Sequence, residues 1–210
     1  AAPPRVSSPV LPPWSGSMNS SRSRPARVHA FAPILGAKPR LLILGSLPGI
    51  ASLRAREYYA HPRNQFWPIM QALFGVPADA PYAQRVAALR AVGVCVWDVL
   101  AEATRPGSAD AAIEPATARA NGIHQLLLRH RSIAVIAFNG GVAHRLFTRL
   151  VLPGIPPRHI APLEFVTLPS TSPANARLTP AAKRRRWRIL LARTLDLDPQ
   201  CARAAINFMP

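Results

Sequence analysis

Four short apolar runs constrain this chain more than any other feature: LLILG at Leu41, VCVWD at Val94, IAVIAF at Ile133 and FVTLP at Phe165. Each is four to six residues long, rich in β-branched or aliphatic side chains, and reads as a buried strand. Between them, about residues 64–74, 82–91, 117–130 and 141–150 carry helical spacing, and residues 179–195 close the pattern as a basic amphipathic helix. Strands alternating with helices call for a mostly parallel sheet covered on both faces. Each run ends in small or polar groups: Gly45-Ser46, Asp98, Asn139-Gly140 and Ser170-Thr171-Ser172. In a parallel sheet these ends share one rim, where such folds place their binding crevice.

The loop after the first run sharpens that expectation. Residues 41–67, LLILGSLPGIASLRAREYYAHPRNQFW, set a Gly/Pro turn and then Tyr58, Tyr59, His61, Arg63, Asn64, Phe66 and Trp67 directly behind a strand. A surface loop carrying so many large aromatics is expected to stack or pack on something. GSLPG is not followed by Gly-Lys-Ser/Thr and lacks the dinucleotide fingerprint, so no nucleotide cofactor is expected. Phe66 and Trp67 sit at helical positions and are assigned to the core.

Composition bounds the remaining possibilities. The chain has 210 residues, enough for one well-cored domain with tails, and its 26 Lys and Arg against 9 Asp and Glu give a formal charge of +17. Such a field attracts polyanions, with nucleic acid the obvious partner, although an Arg-rich composition alone would produce the same count. No apolar run approaches the roughly 20 residues that span a bilayer, so no membrane association is expected. Two cysteines, Cys95 and Cys201, are too few for a zinc cage or iron-sulfur cluster, and no metal site is expected. Cys95 reads as a buried thiol, which fits a reducing cytoplasm. Residues 1–37, rich in Pro, Ser and Arg and free of acid, read as a disordered basic tail, followed by one domain over 38–198 and a C-terminal tail over 199–210. A transit peptide, an extended start before Met18 and a phosphate-touching arm all remain open for the first segment.

In order, GSLPG, YYAHPRNQFW, WDVL with a downstream RPGS, FNG and LPSTSPANAR are the motifs of a known family. The chain resembles the uracil-DNA glycosylase superfamily, most closely its hypoxanthine-DNA (deoxyinosine) glycosylase branch, from about Lys38 to Leu195. The resemblance implies an α/β fold, a three-layer αβα sandwich around a four-stranded mostly parallel sheet. It also implies a cofactor-free enzyme that excises a deaminated base from DNA and leaves an abasic site; a monomer is expected, and with no lysine placed in these motifs as a Schiff-base nucleophile, no strand cleavage. A uracil-preferring enzyme and a catalytically silent nucleic-acid-binding protein of the same fold are the competing readings.

The resemblance also implies roles. Relatives carry a water-positioning Asp or Asn where this chain has Leu47, and an aliphatic group can do neither job. Asn64 in the second motif is the candidate to orient water, and capping the following helix is its competing role. Gly45, Ser46, Tyr59 and Asp98 are expected to bind the base. Tyr59 would stack on it, unless it packs beneath the loop, and Asp98 would accept a ring N–H from the base edge, unless it caps a helix or pairs with Arg105. Ser170 stands where relatives stabilise the departing base, Ser172 where a Ser grips phosphate, and Ala174-Asn175 where a side chain enters the gap left by the flipped nucleotide. With Ser170 a weaker electrophile than His, backbone N–H groups near Ser46 are expected to share its task. His61, Arg63, Arg177, Lys183 and Arg184 complete the expected DNA contacts, with a merely solvated basic face as the alternative for the run 183–186.

Overall fold

The computed structural model describes residues 27–195. Its centre is a parallel sheet of four strands, β2 (Leu41–Gly45), β3 (Val94–Asp98), β6 (Val135–Asn139) and β7 (Glu164–Leu168), in the order β3-β2-β6-β7. These are the four predicted runs, with their ends shifted by a residue or two. Because side chains alternate along a strand, each strand feeds two cores. Leu41, Ile43, Val94, Val96, Val135 and Ala137 face one side and pack with Phe66, Trp67, Ile69 and Met70 of α2 (Phe66–Phe74). Leu89 of α3 (Tyr82–Ala91), Trp187 of α7 (Pro180–Trp187) and Leu190 of α8 (Ile189–Leu195) join that layer. Leu42, Leu44, Cys95, Ile136 and Phe138 face the other side and meet α4 (Ile123–Arg129), α5 (Gly141–Leu150) and, through Ile160, the short α6 (Pro157–Ile160). The result is the expected three-layer αβα sandwich. Burial pushes the Cys95 thiol up to about 11, which makes it an inert core side chain.

Four local expectations are corrected. The predicted tail reaches too far: Arg27–His29 (β1) pairs antiparallel with β4 (Leu100–Thr104), and Ile34 is buried and bridges to Val96. Apolar Val28, Phe31 and Ile34 among the Pro and Arg account for this, since each finds a core contact. Residues 1–26 and the predicted C-terminal tail lie outside the described residues. The predicted helix over 117–130 shrinks to Ile123–Arg129, because Arg119–Ala120 (β5) instead completes a small antiparallel sheet β1-β4-β5. Asn121 holds that segment, donating from Nδ2 to the carbonyls of Asp98 and Leu100 at 2.8 and 3.0 Å. The closing helix is two helices, with Arg188 between Trp187 and Leu190, both fully buried. Finally, a short helix α1 (Ile50–Ala55) follows the GSLPG turn, where no helix was expected.

Candidate active site

The carboxyl ends of the four strands open into one cavity of about 770 Å³. Gly45 to Ser52, Tyr58, Tyr59, His61, Arg63, Asn64, Asp98, residues 108–111, Asn139 and Ser170 to Asn175 line it. Eleven of the fourteen predicted site residues are therefore brought together: Gly45, Ser46, Tyr59, His61, Arg63, Asn64, Asp98, Ser170, Ser172, Ala174 and Asn175. Arg177, Lys183 and Arg184 lie outside the cavity wall.

At the cavity floor, β2 and β3 pair in register so that Gly45 faces Asp98. A methyl on Gly45 would lie 2.5 Å from Asp98 Oδ1 and 3.1 Å from Tyr59 Oη, so glycine is what gives these two polar groups a shared space. Asp98 is 3% exposed, and among the described residues neither its Oδ2 nor Tyr59 Oη meets a hydrogen-bond partner. Burial, and secondarily the charge of Asp110, raises the Asp98 carboxyl to about 7, while Arg105 opposes the rise. Orphaned buried polar atoms are costly, and a perturbed carboxylate in a cleft is the pattern of a functional group. Burial likewise raises the Tyr59 phenol, which stays a neutral O–H donor at any working pH.

Tyr59 reaches this position through an unusual backbone. Its φ of 57° lies in the left-handed region, which a bulky side chain rarely adopts, and its ring stacks on Phe66 at 4.0 Å between centroids. One ring face is thus already covered by the core. Tyr58 points the other way, 3% exposed, with its hydroxyl at 3.3 Å from the carbonyls of Phe31 and Ala32.

Asn64 serves the helix end as the alternative reading required: Oδ1 accepts the Phe66 N–H at 3.0 Å, and its own N–H donates to the His61 carbonyl at 2.8 Å. These bonds fix the side chain at the cavity wall, with one Oδ1 lone pair and Nδ2 still available to a ligand. His61 is also turned to the loop, where Nδ1 accepts the Arg63 N–H at 3.1 Å.

The LPSTSPANAR loop is tied to both neighbours by Thr171, which is fully buried. Asn139, at the end of β6, grips it twice: Oδ1 accepts the Thr171 N–H at 2.8 Å, and Nδ2 donates to Thr171 Oγ1 at 2.9 Å. The Thr171 carbonyl in turn accepts the Gln65 N–H at 3.0 Å, which sets the Ser170 loop against the Asn64 loop. Asn175 Nδ2 donates to the Ser170 carbonyl at 3.1 Å, so Asn175 braces the loop and exposed Ala174 forms its tip. Lys183 departs from expectation. It is 3% exposed and Nζ donates to the Ser172 carbonyl at 3.1 Å, so this lysine supports the loop from below instead of reaching out to phosphate. Arg184, Arg185 and Arg186 are exposed beside it.

Residues 105–110 were missed as site residues. The Arg105 side chain is wholly buried; it donates to the carbonyls of Gly107 and Leu47 at 3.2 Å each and to that of Pro48. It therefore pairs with the GSLPG turn and, at 3.8 Å, with Asp110, not with Asp98. Ser46 Oγ donates to Asp110 Oδ1 at 2.7 Å. The available signal was rarity: Asp110 is one of 9 acidic residues in the chain, and it stands two residues after the RPGS motif. Among the described residues no group of three or more His, Cys, Asp or Glu is placed to hold a metal ion. No helix among them is long and apolar enough to cross a membrane.

Comparison with known proteins agrees with this architecture. A hypoxanthine DNA glycosylase of Methanosarcina acetivorans is 30% identical over 153 residues, 72% of this chain and 90% of the relative. One from Methanosarcina barkeri is 36% identical over 87 residues, 41% of this chain, a match spanning about half (55%) of that relative's length. A solution NMR structure of a candidate uracil DNA glycosylase from Methanosarcina acetivorans superposes with a TM-score of 0.63 at 28% identity, covering 79% of this chain and 99% of that one. The family model of the uracil DNA glycosylase superfamily matches residues 33–191, and the chain belongs to that superfamily.

Proposed function

We propose that the chain is a monofunctional DNA glycosylase that hydrolyses the N-glycosidic bond of deaminated bases, deoxyinosine foremost, and leaves an abasic site. The observation that carries this reading is the pair of buried, unpartnered polar atoms at the cavity floor, Asp98 Oδ2 and Tyr59 Oη. Ionised Asp98 accepts only, and Tyr59 O–H donates. Together they complement an adjacent ring N–H and C=O, the edge that deamination creates in hypoxanthine. Adenine presents the reverse, a ring acceptor beside an amino donor, and would leave both protein groups unpaired and desolvated. Rejecting a base by such a mismatch discriminates strongly because the unpaired groups are buried.

A base inside duplex DNA cannot reach this floor, so the nucleotide must be flipped into the cavity. The exposed Arg63, Arg177 and Arg184 to Arg186 are suited to the flanking phosphates, and Ala174 at the loop tip to the vacated stack. Asn64 orients a water toward C1′, where an oxocarbenium-like centre needs little nucleophilic push. Ser170 and the backbone donors of the GSLPG turn face the leaving base. Uracil carries the same N–H and C=O edge, which favours a uracil-preferring enzyme as the second reading.

The test is a panel of duplexes with single inosine, uracil, xanthine or mismatched thymine lesions, incubated at enzyme excess without metal and then cleaved with alkali. Excision of inosine ahead of the others supports the proposal, and uracil ahead of inosine supports the second reading. No abasic product from any lesion would leave only a nucleic-acid-binding protein of this fold. Within the reading, Asn64→Ala should abolish excision while duplex affinity stays near normal; full activity would remove Asn64 from its role.

A further inference from the structure

The GSLPG turn carries Leu47 where a water-handling side chain would be useful, and Leu47 is buried against Leu100 and Ala103. We propose that Asp110 supplies the missing carboxylate, accepting the proton of the water that attacks C1′. The inference rests on the glycosylase reading above and adds a residue to it.

Three observations on the same loop support it. First, Asp110 is held against the turn by chemistry that leaves half of it free. Its Oδ1 accepts the Ser46 hydroxyl proton at 2.7 Å and lies 3.8 Å from Arg105 Nη1, and these contacts with the described residues are made through Oδ1, not Oδ2. Second, the placement is rigid. Arg105 bonds the carbonyls of Leu47, Pro48 and Gly107, and Ser108 Oγ accepts the Ile50 N–H at 3.0 Å, so turn and loop form one unit. Third, Asp110 lines the cavity with Asn64 and Asp98, and its side chain keeps 35% of its exposure, enough to meet a water. Burial holds its carboxyl above the usual range, which makes it a better proton acceptor than a free aspartate.

The division of labour follows from what each group can do. Asn64 can orient water through its amide but cannot take a proton from it; Asp110 can. As the C1′–N bond breaks, its electron pair leaves with the base. The water oxygen bonds to C1′, its proton passes to Asp110 Oδ2, and the base anion is protonated from solvent. Asp110 then releases its proton to solvent and the cycle closes.

Asp110→Asn keeps an oxygen for Ser46 and the same shape, but removes the base. The single-turnover rate on an inosine duplex should fall about 100-fold, with affinity for an abasic-analogue duplex unchanged within about twofold. In Asp110→Ala, added formate should restore part of the lost rate by supplying a carboxylate. Thermal denaturation of both variants beside the wild type checks folding. A wild-type rate in Asp110→Asn would overturn the assignment, as would a rate loss matched by an equal affinity loss without formate rescue. These outcomes are distinct from failure of the glycosylase reading, which shows as an inactive wild-type protein on every lesion.

Discussion

Gly45 and Asp98 face each other across β2 and β3 so closely that a Cβ on Gly45 would sit 2.5 Å from Asp98 Oδ1. The backbones cannot separate to make room, because β2 and β3 are paired along their length and packed on both faces. Gly45→Ala should therefore cost about 1–3 kcal/mol through overpacking and push the carboxylate out of its reading position. Excision should fall far more than stability does. The check is a thermal melt paired with single-turnover kinetics on inosine duplex; an alanine variant with wild-type rates would mean that the floor has more room than the geometry allows.

Asp98 sets stability against activity. Its carboxyl is raised from the ordinary 3.8 to about 7, so between those values the native state holds a proton that the unfolded chain releases. The stabilisation from this carboxyl is complete below 3.8 and is lost as pH rises through about 7. Asp98→Asn never ionises, and above neutrality it should exceed the wild type by an amount on the order of 2–4 kcal/mol. Activity should move oppositely. Wild-type excision should rise with pH through about 7 as the acceptor-only form appears, whereas Asp98→Asn should be weak and lack that limb. Denaturant melts and pH–rate profiles measure both arms. Equal stability of the two proteins at pH 8 would contradict a buried, unpartnered carboxylate.

The fold was legible because the strands of the central sheet are short, mostly apolar runs and each ends in or is followed by small or polar groups. Strand ends in a parallel sheet converge whatever the loops do, so Gly45, Asp98, Asn139 and Ser170 could be placed on one rim from spelling alone. What stayed hidden depends on contacts distant in sequence. β1 lies in a Pro- and Arg-rich stretch with no periodicity and exists because β4 offers it an edge. Arg105 reads as one more surface arginine until the carbonyls of Leu47 and Pro48 are seen to take its donors. Lys183 sits in a run of four cations, and only burial under the Ser172 loop separates it from its neighbours.

The hydroxyl of Tyr59 separates recognition by hydrogen bonding from recognition by stacking. Its ring already stacks on Phe66, and its Oη is buried without a partner beside the space over Gly45. Tyr59→Phe keeps the ring and deletes only the donor. Losing one donor to a buried substrate carbonyl should cost about 1–3 kcal/mol in kcat/KM for inosine. A substrate bearing unmodified purine, which lacks the C6 carbonyl, should not feel the change. Equal effects on both substrates, or none on either, would reduce Tyr59 to a packing residue.

Four consecutive cations on α7 should behave as two different kinds of residue. Arg184, Arg185 and Arg186 are exposed, while Lys183 is buried with Nζ on the Ser172 carbonyl. Replacing each exposed arginine that meets a phosphate should lower duplex affinity irrespective of sequence and reduce the slope of log K against log salt by about 1. Lys183→Met fills similar volume without the ammonium group, so the slope should stay at the wild-type value. Its defect should instead appear in the loop: the Ser172 carbonyl loses its donor, and with it the positioning of Ser170 and Ala174 at the cavity. The rate of excision at saturating enzyme should fall in Lys183→Met and hold in Arg185→Ala. Fluorescence-anisotropy titrations over a salt series, paired with single-turnover rates, distinguish the two kinds, and a salt slope that falls equally in both variants would return Lys183 to the phosphate-binding face.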